Sequence, residues 1–273
     1  MPKRVAILGD GFVARQTQRK LGQCGHAVTI LGRRDCDLTD DAQVKSKLPN
    51  LEVDAALLTA SVVRLKGNDY GSLIANVRMA AHVAAALPPE CQLVFLSSVD
   101  VYGNSPPPRI TTRSPLAPFD CYGVSKLLGE DLVRARPGVV TILRLNGVFG
   151  RDDRGLSTLS KLAMAARAGS IKVFGTGQTK RDFNFVEDVA TVIEQSICHE
   201  VPGTYNVASG RSRSLCEIAE LVRNTLNPAA TIQRIDTVST AREYDLDFDQ
   251  SEFAQAYPNM RYTTLESAVV SYQ

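Results

Sequence analysis

The chain has 273 residues, 44% hydrophobic and 22% charged, a globular composition far from disordered or collagen-like ones. Thirty-one Lys+Arg against twenty-nine Asp+Glu leave a net charge of +2 with no basic block, so nucleic acid and an anionic membrane are not expected partners. No apolar run approaches the roughly 18 residues of a membrane span, and six scattered cysteines without a CxxC, forming no cluster with the three histidines, predict a reducing cytoplasm and no zinc or other metal site.

Val5–Leu8 is a β-rich run ending in Gly9-Asp10-Gly11, and a helix from Phe12 stops near Gly22–Gly25. Ala27–Leu31 reads as a strand, Asp40–Leu48 as a helix, Asp54–Leu58 as a strand, Leu73–Leu87 as an Ala-rich helix and Gln92–Leu96 as a strand. This alternation predicts an α/β fold with a doubly wound parallel sheet. A loop with Pro106–Pro108, Pro115 and Pro118 follows, then a helix over Tyr122–Ala135, a strand over Val139–Leu145 and a helix over Leu156–Ala168. Beyond about residue 165 the alternation loosens around Ile171–Phe174, with helices near Glu187–Cys198, Ser214–Leu226 and Thr264–Val270. The expected division is a dinucleotide-binding domain over 1–165 and a smaller substrate-binding portion over 166–273, with about 182–208 returning to the first. Tyr244, Leu246 and Phe248 alternate with Asp245, Asp247 and Asp249, which predicts a strand with one solvated face. A calcium loop is not expected there, because Gln250 and Ala256 replace the required Gly and Glu.

Gly9-Asp10-Gly11-Phe12-Val13-Ala14 joins a strand to a helix, the context of a dinucleotide fingerprint. Gly9 makes the turn, Gly11 lets the backbone approach a pyrophosphate, and Ala14 permits close helix packing. The second strand ends in Gly32-Arg33-Arg34 with no carboxylate, which points to a 2′-phosphate and to NADP(H), with NAD(H) the alternative. Tyr122 and Lys126 are four residues apart and share a helix face. A lysine ammonium beside a phenol lowers a pKa that is otherwise about 10, so Tyr122 can transfer a proton near neutrality. Ser98 ends a strand upstream, across a loop long enough to bring it beside Tyr122.

These motifs resemble the extended short-chain dehydrogenase/reductases, specifically the NAD-dependent epimerase/dehydratase family acting on nucleotide sugars. The likeness runs through the Gly9–Ala14 turn, Asp37-Leu38-Thr39-Asp40, Asn76-Val77, Ser97-Ser98 with Tyr102-Gly103, Tyr122-x-x-x-Lys126, Leu143-Arg144, Arg181-Asp182-Phe183 and Tyr205-Asn206. The resemblance implies Tyr122 as general acid/base, Lys126 on the nicotinamide ribose and Ser98 on the reacting sugar oxygen. It places Gly9, Gly11, Phe12, Val13, Asp37, Leu38, Thr59 and Ala60, together with Tyr122 and Lys126, on the cofactor. Arg181 would grip the nucleotide diphosphate, with Arg242 as a second phosphate contact and Asn146 near the substrate. A homodimer through the helices near Leu73–Leu87 and Tyr122–Ala135 is also implied.

The departures bear on the reaction. The first turn is a short GxGxxA, and the short path from the second strand to Asp37 is similar to the branch containing dTDP-4-dehydrorhamnose reductase. Val99-Asp100 stands where family dehydratases carry Asp-Glu, so a 4,6-dehydratase is not expected. The expected function is NAD(P)-dependent reduction or epimerisation at a keto/hydroxyl carbon, C4, of a nucleotide-activated sugar. A 4-keto reductase with NADPH comes first; the alternatives are a 4-epimerase holding NAD tightly and a non-catalytic NAD(P)-binding sensor.

Overall fold

The computed structural model describes residues 1–153, 155–236 and 244–272. In chain order the elements are β1 (Arg4–Leu8), α1 (Phe12–Gln23), β2 (Ala27–Leu31), α2 (Asp41–Lys47), β3 (Ala55–Leu58), α3 (Tyr70–Ala86), β4 (Gln92–Ser98), α4 (Cys121–Arg134) and β5 (Val140–Leu145). Then come β6 (Gly147–Phe149), α5 (Thr158–Arg167), β7 (Ser170–Phe174), β8 (Lys180–Arg181), β9 (Phe183–Phe185), α6 (Val186–His199) and β10 (Gly203–Val207). The rest is β11 (Arg213–Ser214), α7 (Leu215–Leu226), β12 (Thr231–Ile235), α8 (Ser251–Ala256) and α9 (Leu265–Val270).

Among the described residues a six-stranded parallel sheet has the order β10-β5-β4-β3-β1-β2. The chain leaves β1 for β2 on one side and returns to β3 on the other. The crossover direction therefore switches between β1 and β3, which opens a crevice at their carboxyl ends. The period of two along each strand divides the core. Val5, Ile7, Ala55 and Leu57 pack on Leu21 of α1 and Val189 and Ile193 of α6, whereas Ala6, Leu8, Ala56 and Leu58 pack on Val44, Met79, Val83 and Val133 from the other face. With both faces covered, β3 and β4 are buried throughout, and β3 and the Leu93–Leu96 centre of β4 read as continuous apolar runs.

A separate core lies under the later elements, where Phe149, Leu159, Ile171, Val173, Ile218, Val222 and Val269 pack together. The parallel pair β7–β12 belongs to this layer. The strand expected over Tyr244–Asp249 does not form. Only Phe248 makes an isolated bridge, to Ile110. Ile110 closely follows Pro106–Pro108, which lack N–H groups and cannot extend a ladder. The acids are used singly instead: Asp245 accepts from the Lys180 N–H at 2.8 Å, and Asp249 pairs with Arg109 at 3.0 Å.

A buried polar network ties the sheet to α4. Arg144 on β5 and Glu130 on α4 are almost fully buried and form a two-pronged pair, Nε to Oε1 at 2.9 Å and Nη2 to Oε2 at 2.7 Å. The Ser97 hydroxyl donates to Glu130 at 2.5 Å. Arg144 also donates to Tyr102 Oη, which donates to Asn206 on β10, each at 2.7 Å. Arg134 also reaches Glu130, Nη2 to Oε2 at 2.9 Å, so Arg144→Met leaves Glu130 one ionic partner and is expected to cost about 2–3 kcal/mol of unfolding free energy, the loss of charge-assisted hydrogen bonds, not the larger penalty of an unpaired buried charge. Urea denaturation checks this, and a loss below about 1 kcal/mol, the scale of an exposed pair, contradicts it.

Candidate active site

A cavity of about 1310 Å³ opens at the carboxyl ends of the strands, along the crevice beside β1 and β3. Its first wall is the β1–α1 turn. Gly9 has φ +120°, and a Cβ there would stand 2.5 Å from Thr59 Oγ1 and 2.8 Å from the Ala60 nitrogen, so only glycine fits. Gly11 caps α1 without a side-chain hydrogen bond, and the first turn holds no acidic residue. The N–H groups of that turn thus stay available to an anion, which the helix dipole favours. Phe12, Val13, Thr59 and Ala60 line the same cavity, and Ala14 is fully buried behind it. A dinucleotide pyrophosphate fits this cradle.

The far end of that wall carries Arg33, Asp37 and Leu38. Arg33 donates Nε to Asp37 at 3.0 Å, and hydrogen bonds from Thr39 and then Arg33 hold the Asp37 carboxyl below its ordinary pKa. Arg34 is exposed and off the cavity wall. Of the two arginines that pointed to a 2′-phosphate, Arg33 alone lines the cavity, and it faces a carboxylate.

Ser98, Tyr122 and Lys126 meet at the other end of the cavity. Ser98 ends β4, its hydroxyl donating to Asp100 Oδ2 at 3.1 Å and accepting from the Asp100 N–H at 3.2 Å. Asp120 caps α4 by accepting from the Gly123 N–H at 2.8 Å, which starts the helix one turn before Lys126. Asn76 of α3 accepts from the Val62 N–H and donates to Ser125, fastening the loop after β3 to α4.

Electrostatics at this end correct one expectation. Burial and the Asp100 charge push the Tyr122 phenol above its ordinary pKa, while Arg64 and a hydrogen bond with Ser98 pull it down. The Lys126 ammonium is not aimed at the phenol. It donates to the Leu96 carbonyl at 2.8 Å and lies 5.7 Å from the centre of the Tyr122 ring. Burial lowers Lys126 itself to about 8, opposed by Glu130. The helical spacing is as expected; the direction of the ammonium was not legible in it.

On the substrate side, Arg181 is on the wall, donating Nη1 to the Lys180 carbonyl at 2.8 Å and the Tyr244 carbonyl at 2.5 Å. Asn146 lines the cavity, but its amide donates to the Asp182 carbonyl at 2.6 Å and its oxygen accepts the Gly147 N–H at 2.8 Å. It acts as a backbone clamp. Arg242 lies outside the described residues. Sequence reasoning missed Arg64 and Asp120, which flank Tyr122; the only signal was a lone arginine five residues past Thr59.

The buried ammonium has a measurable cost. Lys126 titrates near 8 in the folded protein and near 10.5 in the unfolded chain. Its penalty is therefore fully present below about pH 8 and disappears as pH rises toward 10.5. Lys126→Met is expected to stabilise the protein near neutral pH by on the order of 2–3 kcal/mol, with the advantage shrinking by about pH 10. Denaturant titrations at the two pH values check this; an advantage equal at both contradicts it.

Among the described residues no helix is long and apolar enough to cross a membrane. The uncharacterized UDP-glucose epimerase YtcB of Bacillus subtilis (strain 168) is 28% identical over 155 residues, covering 54% of this chain and 48% of that protein. The chain thus spans about half the length of that curated relative. The Bordetella bronchiseptica enzyme WbmG, solved in complex with NAD and UDP, superposes with a TM-score of 0.85 at 19% identity over 100% of this chain and 94% of its own. The dTDP-4-dehydrorhamnose reductase of Bacillus anthracis str. Ames, in complex with NADP, gives 0.85 at 20% identity over 100% and 99%. At such identities the two structures establish the shared fold. The family model for the NAD dependent epimerase/dehydratase family matches residues 5–208, well over half of the chain, and the protein belongs to that family.

Proposed function

We propose that the protein is an oxidoreductase of nucleotide-activated sugars, reducing a keto carbon, C4 in the first instance, with NADPH as reductant. The observation that carries this reading is the convergence of Ser98, Tyr122 and Lys126 on the cavity whose other wall is the Gly9–Phe12 turn. When bound, a nicotinamide supplies or accepts the hydride.

The chain's own residues do the rest. The Ser98 hydroxyl, already oriented by Asp100, is placed to hydrogen-bond the oxygen on the reacting carbon. The Tyr122 phenol gives that oxygen a proton in reduction and takes it back in oxidation. Lys126 offers an ammonium in a fixed place for a ribose hydroxyl, and Arg181 offers donors to a diphosphate.

A 4-epimerase with retained NAD is the second reading, favoured by the Arg33–Asp37 pair. With Arg33 paired to Asp37 and Arg34 off the wall, that end of the cavity suits a ribose 2′-hydroxyl as well as a 2′-phosphate. The substrate-binding portion is proposed to be 166–273, with about 182–208 returning to the dinucleotide-binding domain; Phe149 and Leu159 join it by packing in the later core, and Phe253, Tyr257 and Met260 leave it for the first core.

Turnover separates these readings. Incubation with NADPH and a panel of UDP-, dTDP- and GDP-linked 4-keto sugars, followed by nicotinamide absorbance, is expected to show net NADPH oxidation. Interconversion of 4-epimers with firmly bound NAD and no net oxidation identifies the epimerase. Tyr122→Phe is expected to lower turnover by at least about 100-fold in either case while leaving cofactor affinity nearly unchanged. Retained turnover in that variant contradicts the assignment of Tyr122.

A further inference from the structure

The loop between β3 and α3 brings Arg64 to the reactive end of the cavity. Its Nη2 lies 2.8 Å from Asp100 Oδ2 and its Nε 2.7 Å from Asp120 Oδ2. The guanidinium carbon stands 5.5 Å from the centre of the Tyr122 ring and 5.9 Å from that of Phe119. Both carboxylates bear on the reacting groups. Asp100 accepts the Ser98 hydroxyl, and Asp120 caps the helix that begins beside Tyr122. Asn68 on the same loop accepts the Tyr122 N–H at 3.0 Å, so the loop also grips the backbone of the tyrosine.

The charges around the phenol come from four places: Asp100 after β4, Asp120 at the start of α4, Lys126 one turn along α4 and Arg64 on the loop. Lys126 directs its ammonium to a carbonyl. The two carboxylates favour the protonated phenol, and the guanidinium between them opposes that. Arginine suits the position because one delocalised cation lies within ion-pair distance of two carboxylates at once while standing over a ring.

We propose that Arg64 is a positioning residue for the acid–base tyrosine: by clamping Asp100 and Asp120 it orients Ser98 and Tyr122 and offsets the negative charge beside the phenol. The inference rests on the redox role given above to Tyr122. Without Arg64 the phenol holds its proton to higher pH, so the titration step belonging to Tyr122 moves upward in both reaction directions.

The test is the pH dependence of kcat in the wild type, Arg64→Gln, Arg64→Lys and the double variant Arg64→Gln/Asp100→Asn, on whichever nucleotide sugar of the panel the wild type turns over. The Tyr122 midpoint is expected to rise by about one pH unit in Arg64→Gln, to stay near the wild-type value in Arg64→Lys, and to fall back in the double variant. Cofactor affinity, which reports folding, is expected to change less than about twofold. A lowered kcat with an unmoved midpoint overturns the proposal, since a merely structural role has that signature. If no sugar turns over, the proposed function fails by itself. Arg64 is then tested by NMR of NAD-loaded protein carrying Cζ-labelled tyrosine, comparing Asp100→Asn with the double variant at one alkaline pH. A smaller phenolate fraction at Tyr122 in the double variant supports the role, and equal fractions overturn it.

Discussion

The bidentate pair between Glu130 and Arg144 is the constraint on which the reactive end of the molecule depends. Each charge would cost several kcal/mol to bury alone, so both are held to one geometry. That geometry joins β5 to α4, takes in the Ser97 hydroxyl and reaches β10 through Tyr102 and Asn206. Ser97 immediately precedes Ser98, and Glu130 is one helical turn beyond Lys126. Fixing the pair therefore fixes the end of β4 against the face of α4 that carries the reacting groups. The geometry proposed for catalysis is built from behind, by two charges that lie off the cavity wall.

The two ends of the cavity solve different electrostatic problems. At the β1–α1 turn an uncapped helix start offers oriented N–H groups, and the Cβ-free Gly9 lets Thr59 and Ala60 close against it. At the other end the problem is a surplus of negative charge beside a phenol. Asp100 and Asp120 are useful there as a serine acceptor and a helix cap, and Arg64 compensates for both. Lys126, fully desolvated, carries a stability cost that its place in the site explains better than any packing role, since a buried ammonium on a carbonyl is a poor way to fill a core.

Much of the large sheet was legible because local and global signals agree: Val5–Leu8, Ala27–Leu31 and Gln92–Leu96 are short apolar runs, each bounded by turn chemistry or a helical pattern. β6, β8, β9 and β11 were not, since two or three residues carry no period. The alternation at Tyr244–Phe248 was real, yet a period of two makes a strand only where a partner offers a ladder, and the proline-rich segment before Ile110 offers a single bridge. At the site, the spacing of Tyr122 and Lys126 put both on one face, but spacing does not say where a flexible ammonium donates. Nor does Arg33-Arg34 say which of two adjacent arginines faces a cleft. Arg64 and Asp120 come together only through the fold, 56 positions apart in the chain.

The central claim is that the cavity between the Gly9 turn and Tyr122 is built for a nicotinamide dinucleotide. It is tested most directly by releasing any nucleotide from purified protein, identifying it, and titrating the stripped protein with NAD, NADH, NADP and NADPH beside Gly9→Val. The account predicts that the wild type retains or binds at least one of the four with micromolar or tighter affinity, and that a side chain at position 9 abolishes this. A wild type that neither carries nor binds any of them, or a Gly9→Val variant that binds as the wild type does, contradicts it.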